Sequence, residues 1–585
     1  MTRRTSLRAK WDVYVCQPFP VLVRLSMNRI FHGSNAGEED LNISMGLLLA
    51  LLALPGGFVS LLLFDKYGSF LQWLRGETKF DPLAAALPDE YFFIVLSMVV
   101  TGGVALWWWD SIFPDRRDFV NLVSLPIATS RIFLANSVAI VILTCLCVID
   151  VNAASSVLFP AGVAAAQPGL RFVLQFAWVH ALVVALASVF SFFAVFASTG
   201  LLMVLLPYTV FRRISAYVRT LIATLLLAAL STSFTVPRMI LALPRSPHSP
   251  LRFLPSAWFL GLCQLLRGRA DSSLAELGHM AILGLIATGV LAFVAYAVSY
   301  RRCFVRLLEL ADAPPGHLGV HTSWIFRVLD FLILHTPFQR AGYRFVIKTL
   351  LRNEAHALAA GGFFGLGIVV ASRTLFATFN STGSSPLPSA DVLSIPFILC
   401  YCLVVGIRFV LDVPAHLQAN WIFRLLLNRS IEESAALARR VILCFALPCV
   451  VLVAFPFYLR CWGWRVALVH LGVVKIWVVL LTEVFLVGFR KLPFTCTYPL
   501  FRHSAVVAAI TYVFGYFAFT ALTAELESEA FLSPARGIVS LAISLGVWYA
   551  VLRVRKNLTE VDEPLVFEDI PAPAFDLLHL SDRGG

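Results

Sequence analysis

Long apolar runs separated by short polar connections recur along the chain from residue 43 to residue 552. A helix needs about 20 predominantly apolar residues to cross a hydrocarbon core about 30 Å thick, and about twelve runs approach that length. The pattern therefore predicts an all-α polytopic membrane helix bundle. The predicted spans are, in order, Ile43–Phe64, Tyr91–Trp109, Ile132–Val151, Phe172–Ser198, Thr220–Val236, Met280–Tyr300, Ala357–Phe376, Val392–Leu411, Val441–Leu459, Val466–Phe489, Ser504–Ala521 and Gly537–Leu552.

The distribution of basic residues predicts which side of the membrane each connection between the spans faces. Most of the 46 lysine and arginine residues lie on alternate connections, counted from the N-terminus. Cytoplasmic loops carry the excess of basic residues in membrane proteins, so this alternation places both termini in the cytoplasm. The predicted divisions are 1–42, a cytoplasmic N-terminus with an amphipathic helix; 43–300, a first six-span half; 301–356, a cytoplasmic linker with a second amphipathic helix; 357–552, a second six-span half; and 553–585, a cytoplasmic tail.

Composition agrees with a protein solvated by lipid. Hydrophobic residues make up 59% of the chain and charged residues 14%, against roughly 45–50% and about 25% in soluble domains. The net charge of +12 comes from small groups of basic residues that flank the spans. Such groups fit anionic lipid headgroups, whereas a nucleic-acid partner would need a basic stripe with interleaved aromatic residues.

Two connections depart from the simple pattern. The segment Gly200–Phe211 is too short to span the membrane, and it is predicted either to extend the fourth helix or to form an interfacial turn. The predicted outer segment Arg238–His279 is apolar but broken by prolines, which favours short re-entrant or surface helices. The alternative for this outer segment is an ordinary ordered loop.

Catalytic and cofactor motifs are absent from the sequence. It contains no G-x-x-x-x-G-K-[ST], H-E-x-x-H or G-x-S-x-G pattern, and its cysteines lack zinc-ligand spacing. We therefore expect no catalytic residue, bound cofactor or metal site, and no enzyme activity in this chain. Energy for transport would come from a partner protein or from an ion gradient.

The connection between the second and third spans has the character of a docking surface. Acids and arginines alternate there around an apolar pair, as in interfaces where charge rings a rigid apolar group. The alternative is a short loop tied by its own salt bridges. The candidate docking residues are Phe113, Pro114, Asp115, Arg116, Arg117 and Asp118, with Trp421, Phe423 and Arg424 at the equivalent place in the second half.

This order of elements resembles the permease subunits of type-2 ABC exporters. The likeness rests on the basic N-terminal helix, six spans with both ends inside, the loop between spans two and three, and the broken outer segment between spans five and six. The resemblance implies that Phe113–Asp118 and Trp421–Arg424 are coupling helices that bind a separate P-loop ATPase. It also implies a fused, two-half, bacterial member of the family in the inner membrane.

Charges inside predicted spans are functional candidates, because each is costly unless it is paired or hydrated. Lys475 and Glu483 lie in the tenth span, about 80° apart around the helix and about 12 Å apart along it. They therefore cannot pair with each other, and each needs a partner on another helix or a water-filled cavity. This need fits a proton or substrate pathway and a buried structural pair equally well. Arg373 and Arg408 lie near span ends, where we expect their side chains to snorkel outward.

Three functions fit these observations. The leading hypothesis is a permease that exports a hydrophobic or amphipathic substrate with a separate ATPase. The second is a secondary transporter that uses Lys475 and Glu483 and is driven by an ion gradient. The third is a polytopic assembly protein that transports nothing.

Overall fold

The structure, a computed structural model, describes residues 18–32, 52–63, 66, 82–109, 129–164, 170–237, 250–309, 334, 336–380, 388–415, 420–421, 423, 431–487, 489–496, 505–559, 565 and 567. Within these ranges the chain is almost entirely helical and contains no strand. The chain divides into two units, Met1–Leu318 and Gly319–Gly585. The division falls inside the predicted linker 301–356.

Both units are built from helices that follow one another along the chain. In the first unit these are α1 (Pro18–His32), α2 (Leu52–Leu63), α3 (Pro82–Trp107), α4 (Thr129–Ala164), α5 (Leu170–Leu205), α6 (Tyr208–Thr232), α7 (Pro255–Leu266) and α8 (Ser272–Glu309). In the second unit they are α9 (Pro337–Arg352), α10 (Glu354–Asn380), α11 (Ala390–Leu411), α12 (Ile431–Phe485), α13 (Ala505–Leu532) and α14 (Pro534–Thr559).

Nine helices among the described residues are long and apolar enough to cross a membrane. The chain is therefore a multi-pass membrane protein. One of the nine, Glu432–Phe485, has 54 residues and would be about 80 Å long if straight, far more than one crossing needs. Its backbone breaks at Gly463, where φ is 80°, between the ninth and tenth predicted spans.

The connections are shorter than the sequence indicates, because proline starts a helix where a loop is predicted. Helix α5 ends at Leu205 and Pro207 caps α6, so Gly200–Phe211 is shared between two helices. In the second unit Pro534 opens α14 only two residues after α13 ends. Proline suits the first turn of a helix, where no backbone N–H donor is needed.

Small polar side chains join the buried faces of α3, α4 and α5. The hydroxyl of Ser97 donates to the side-chain oxygen of Asn152 at 2.5 Å, and the Asn152 amide lies 3.0 Å from the hydroxyl of Ser188. Ser191 donates to the carbonyl oxygen of Met98 at 2.7 Å. Lipid provides no hydrophobic drive for helices to associate, so close packing and hydrogen bonds of this kind hold the bundle together.

Contacts at the two ends of α3 agree with alternating helix directions. At one end the indole N–H of Trp109 donates to the hydroxyl of Ser215 at 2.6 Å, near the start of α6. Nine residues after the start of α3, where the second span is predicted to begin, the hydroxyl of Tyr91 lies 2.8 Å from that of Ser256 on α7. Residues predicted for the same side of the membrane thus meet each other.

The short helix α7 lies within the segment Arg238–His279, for which short helices are predicted; residues 238–249 lie outside the described residues. Arg267, at the C-terminal cap of α7, pairs with the buried carboxylate of Glu90 on α3. The helix also approaches α8 closely at Gly261. A side-chain Cβ at this position would lie 2.6 Å from the carbonyl oxygen of Leu274 and 2.7 Å from the Cβ of Leu277.

Replacing Gly261 with valine tests this helix contact. The added side chain meets backbone atoms that cannot move aside, so we expect Gly261→Val to lower the free energy of unfolding by about 1–3 kcal/mol. Gly289→Val on α8 is the control, because a Cβ there meets no atom within 4 Å. Thermal unfolding in mild detergent measures both variants, and equal melting temperatures would contradict the close approach.

Candidate functional site

The candidate docking residues of the first half lie outside the described residues. This applies to Phe113, Pro114, Asp115, Arg116, Arg117 and Asp118, and also to Arg424 in the second half. Trp421 and Phe423 are described, and both belong to the second unit.

Trp421 is exposed, while Asn420 and Phe423 contact other parts of the second unit. The side-chain amide of Asn420 donates to the carbonyl oxygen of Thr495 at 2.7 Å, and Asn420 is buried. The ring of Phe423 lies 5.7 Å from the ring of Phe345 on α9. Trp421 itself is 61% exposed. The two anchors therefore hold a large aromatic side chain on the surface.

The segment Phe489–Cys496, which follows α12, accepts the hydrogen bond from Asn420. The backbone N–H of Phe494 donates to the carbonyl oxygen of Leu411 at 3.1 Å, and that of Ala415 donates to the carbonyl oxygen of Phe494 at 3.1 Å. The ring of His356 stands edge-on to Phe494, 5.0 Å between ring centres. This segment thus crosses the end of α11 and meets the start of α10.

Three charged residues form a buried cluster between this segment and the end of α11. They are Lys491 of the segment, and Arg408 and Asp412 at the end of α11. Asp412 accepts from the guanidinium of Arg408, one helical turn earlier, and from the ammonium of Lys491 at 2.6 Å. Arg408 also donates to the carbonyl oxygen of Phe485 at 3.1 Å, and Lys491 donates to that of Cys496 at 2.6 Å. One carboxylate is therefore shared between two buried cations.

The expectation that Arg408 snorkels outward is wrong. Its side chain is only 3% exposed, because Asp412 supplies a counter-charge within the protein. Arg373 is exposed, as expected.

Glu483 and Lys475, the predicted intramembrane charges, have different surroundings. Glu483 is 7% exposed and pairs with Arg439, which lies on the other side of the Gly463 break in α12. The predicted need for a partner from another helical segment is thus met for Glu483. Lys475 is exposed on the outer surface of α12 and pairs with no described residue. The structure does not bring the two residues into one site.

Sequence reasoning missed Asp412 as the partner of Arg408, and it missed Lys491 as the second partner of Asp412. The spacing of four residues between Arg408 and Asp412 is a readable signal, because such residues are neighbours on a helix. Lys491 carries no such signal, since it reaches Asp412 only when the chain folds back after α12. Burial lowers the pKa of Lys491, and the opposing effect of Asp412 only partly offsets this shift.

The exposed Trp421 is suited to binding a partner. The buried cluster of Arg408, Asp412 and Lys491 is suited to fixing the segment Phe489–Cys496. Among the described residues, no three histidine, cysteine or acidic side chains are grouped so that they could hold a metal ion. Comparison with protein-family models, curated proteins and solved structures found no match for this chain.

Neutralising Asp412 tests the buried charge cluster. We expect Asp412→Asn to lower the free energy of unfolding by about 3–5 kcal/mol, because two buried cations lose their counter-charge. Asp391→Asn is the control, since Asp391 is an exposed acid at the start of the same helix. Chemical unfolding in detergent compares the variants, and equal stability would contradict the cluster.

The loss of stability caused by Asp412→Asn should also depend on pH. Lys491 has a lowered pKa in the folded protein, so the unfolded chain binds the proton more tightly. The stability of Asp412→Asn should therefore increase as pH rises towards 10.5, the ordinary pKa of lysine. Unfolding curves collected at several pH values below 10.5 measure how the free energy of unfolding of Asp412→Asn changes with pH.

Proposed function

We propose that this chain is the membrane permease subunit of an ATP-driven exporter in the cytoplasmic membrane, and that a separate P-loop ATPase powers it. Its substrate is hydrophobic or amphipathic. The observation that carries the proposal is the exposed Trp421, held between the anchored residues Asn420 and Phe423.

An exposed and rigidly held tryptophan favours a protein partner. Tryptophan is enriched among the few residues that contribute most of the binding energy of an interface. Little backbone freedom around Trp421 remains to be lost on binding, because Asn420 and Phe423 are already held by other parts of the unit. The positive-inside pattern assigns Trp421 to the cytoplasm, where a soluble ATPase would meet it.

The order of elements in the first unit also supports a permease. A helix, α1, precedes the spans, and the short apolar helix α7 lies between the long helices α6 and α8. The permeases of type-2 ABC exporters, which the sequence resembles, have a corresponding order. The resemblance adds the ATPase to the proposal, because this chain has no nucleotide-binding motif of its own.

A transporter driven by an ion gradient is the second candidate. The residues first considered for it do not favour it, because Glu483 is paired with Arg439 and Lys475 faces outward. A different pair favours it: His470 and Glu527 are both buried and in contact. Transport that continues without ATP and stops when the gradient is dissipated would support this candidate.

Co-purification from native membranes tests the ATPase partner. We expect the tagged wild-type chain to retain a P-loop ATPase in mild detergent, and Trp421→Ala to reduce the recovered ATPase at least about tenfold, as a loss of about 1.4 kcal/mol would. Trp464→Ala is a matched control, because Trp464 is 59% exposed but lies on the predicted outer side. Unchanged recovery with Trp421→Ala would contradict this docking site.

A double variant extends the same experiment to the first half. Arg116→Glu combined with Arg117→Glu changes the net charge of the predicted coupling helix Phe113–Asp118 from zero to minus four while leaving the spans intact. Loss of the ATPase with normal membrane insertion would support docking at both halves. A wild-type chain that purifies without any ATPase would instead contradict the exporter and leave the gradient-driven transporter or the assembly protein.

A further inference from the structure

His470 and Glu527 form a buried acid and base pair inside the second unit. The Nδ1 atom of the His470 ring lies 2.8 Å from Oε1 and 2.9 Å from Oε2 of Glu527. The side chains are 0% and 2% exposed. His470 belongs to the part of α12 after Gly463, and Glu527 belongs to α13, so the pair joins two helices.

Aromatic rings surround the pair. The ring of Tyr458 lies 4.6 Å from the ring of His470, and the ring of Phe397 lies 5.9 Å from it. The hydroxyl of Tyr458 donates to the backbone carbonyl of Val392 on α11 at 2.5 Å. The Nε2 atom of His470 is buried and has no hydrogen-bond partner among the described residues. Neither water nor lipid headgroups reach the pair in this conformation.

Among the described residues, no third charged group forms an ion pair or a hydrogen bond with His470 or Glu527. Tyr458 is the titratable group packed on the pair from α12, whereas α11 presents Phe397 and a backbone carbonyl. Several charged residues of these helices are exposed, namely Asp391, Arg460, Arg465, Lys475 and Glu525, while others pair elsewhere: Arg408 with Asp412, Arg439 with Glu483, and Glu529 with Arg536 on α14.

The total charge of the pair is therefore set by its own protons. A neutral imidazole beside a carboxylate has a charge of minus one, which is costly in a buried apolar site. One additional proton, on the imidazole or on the carboxyl group, makes the pair neutral overall. Because the groups are in direct contact, that proton belongs to the pair and not to either residue alone.

A break in the backbone lies close to this pair. Gly463 has φ of 80° and ψ of 174° inside α12, a conformation that side chains other than glycine rarely adopt. It separates Tyr458 from His470, whose rings pack across the break. A small rotation at Gly463 would move the two rings apart and open the pair to water.

We propose that His470 and Glu527 form a site that binds one exchangeable proton, and that motion at Gly463 opens this site to water. In the closed conformation the pair holds the proton and is neutral. On opening, the proton passes to water as hydronium and leaves the imidazole and carboxylate with a charge of minus one. Closing then requires a proton to be taken back from water. The proposal does not depend on the ATPase.

Proton uptake by the purified chain in lipid nanodiscs tests the site. Between about pH 9 and pH 5, where exposed carboxylates remain ionised, we expect the wild type to bind about one proton more than Glu527→Gln. Glu529→Gln is the matched control, because Glu529 lies two residues away on α13 but pairs with Arg536 near the surface. It should bind as many protons as the wild type.

Infrared spectroscopy gives a second measurement that does not require a stable Glu527→Gln variant. We expect the wild type to show pH-dependent bands, either of a buried carboxylic acid or of a carboxylate together with an imidazolium, and we expect these bands to shift in Glu527→Asp. A wild-type spectrum in which neither a buried carboxyl group nor a buried imidazole titrates would overturn the proposal. Equal proton uptake by the wild type, Glu527→Gln and Glu529→Gln would overturn it as well. Neither outcome bears on ATPase binding, so the two proposals fail separately.

Discussion

Every charge that this protein buries must find its counter-charge inside the protein, because lipid hydrocarbon solvates neither ions nor unpaired polar groups. The structure meets this constraint at several places. In the first unit Arg267 forms an ion pair with Glu90. In the second unit Asp412 forms ion pairs with both Arg408 and Lys491. Pairs of this kind contribute little net stability, yet removing one partner is costly, so they fix which segments can lie together.

The paired charges position the short elements of the chain. The Glu90 pair holds α7 against α3, and the Asp412 cluster holds the segment Phe489–Cys496 across the end of α11. That segment accepts the hydrogen bond from Asn420 and thereby supports Trp421. A surface proposed to bind a soluble ATPase thus depends on charges buried beneath it. The His470 and Glu527 pair differs, because no third charge among the described residues pairs with it and the proposed proton would make it neutral.

Much of the helical fold was predictable, and the reasons are physical. An apolar run long enough to cross the hydrocarbon core has to be helical, so long helices occur where hydropathy is high. The pairing of Arg408 with Asp412 was also predictable, because residues four apart are neighbours on a helix. The pairing of Lys491 with Asp412 and that of Glu527 with His470 were not predictable, because each joins residues on different elements that only the folded chain brings together. The snorkelling expected for Arg408 failed because Asp412, one helical turn later, supplies a counter-charge within the protein.

Sidedness is the claim on which the proposed function most depends, since it decides which side of the membrane Trp421 faces. One version of the chain would carry a short epitope tag after Gly316, in the predicted cytoplasmic linker. A second version would carry the tag after Arg269, between α7 and α8 in the predicted outer segment. In intact cells stripped of any outer barrier, antibody should bind only the tag after Arg269, and the tag after Gly316 should bind only after permeabilisation. The reverse pattern, or binding of both tags from the same side, would contradict the account.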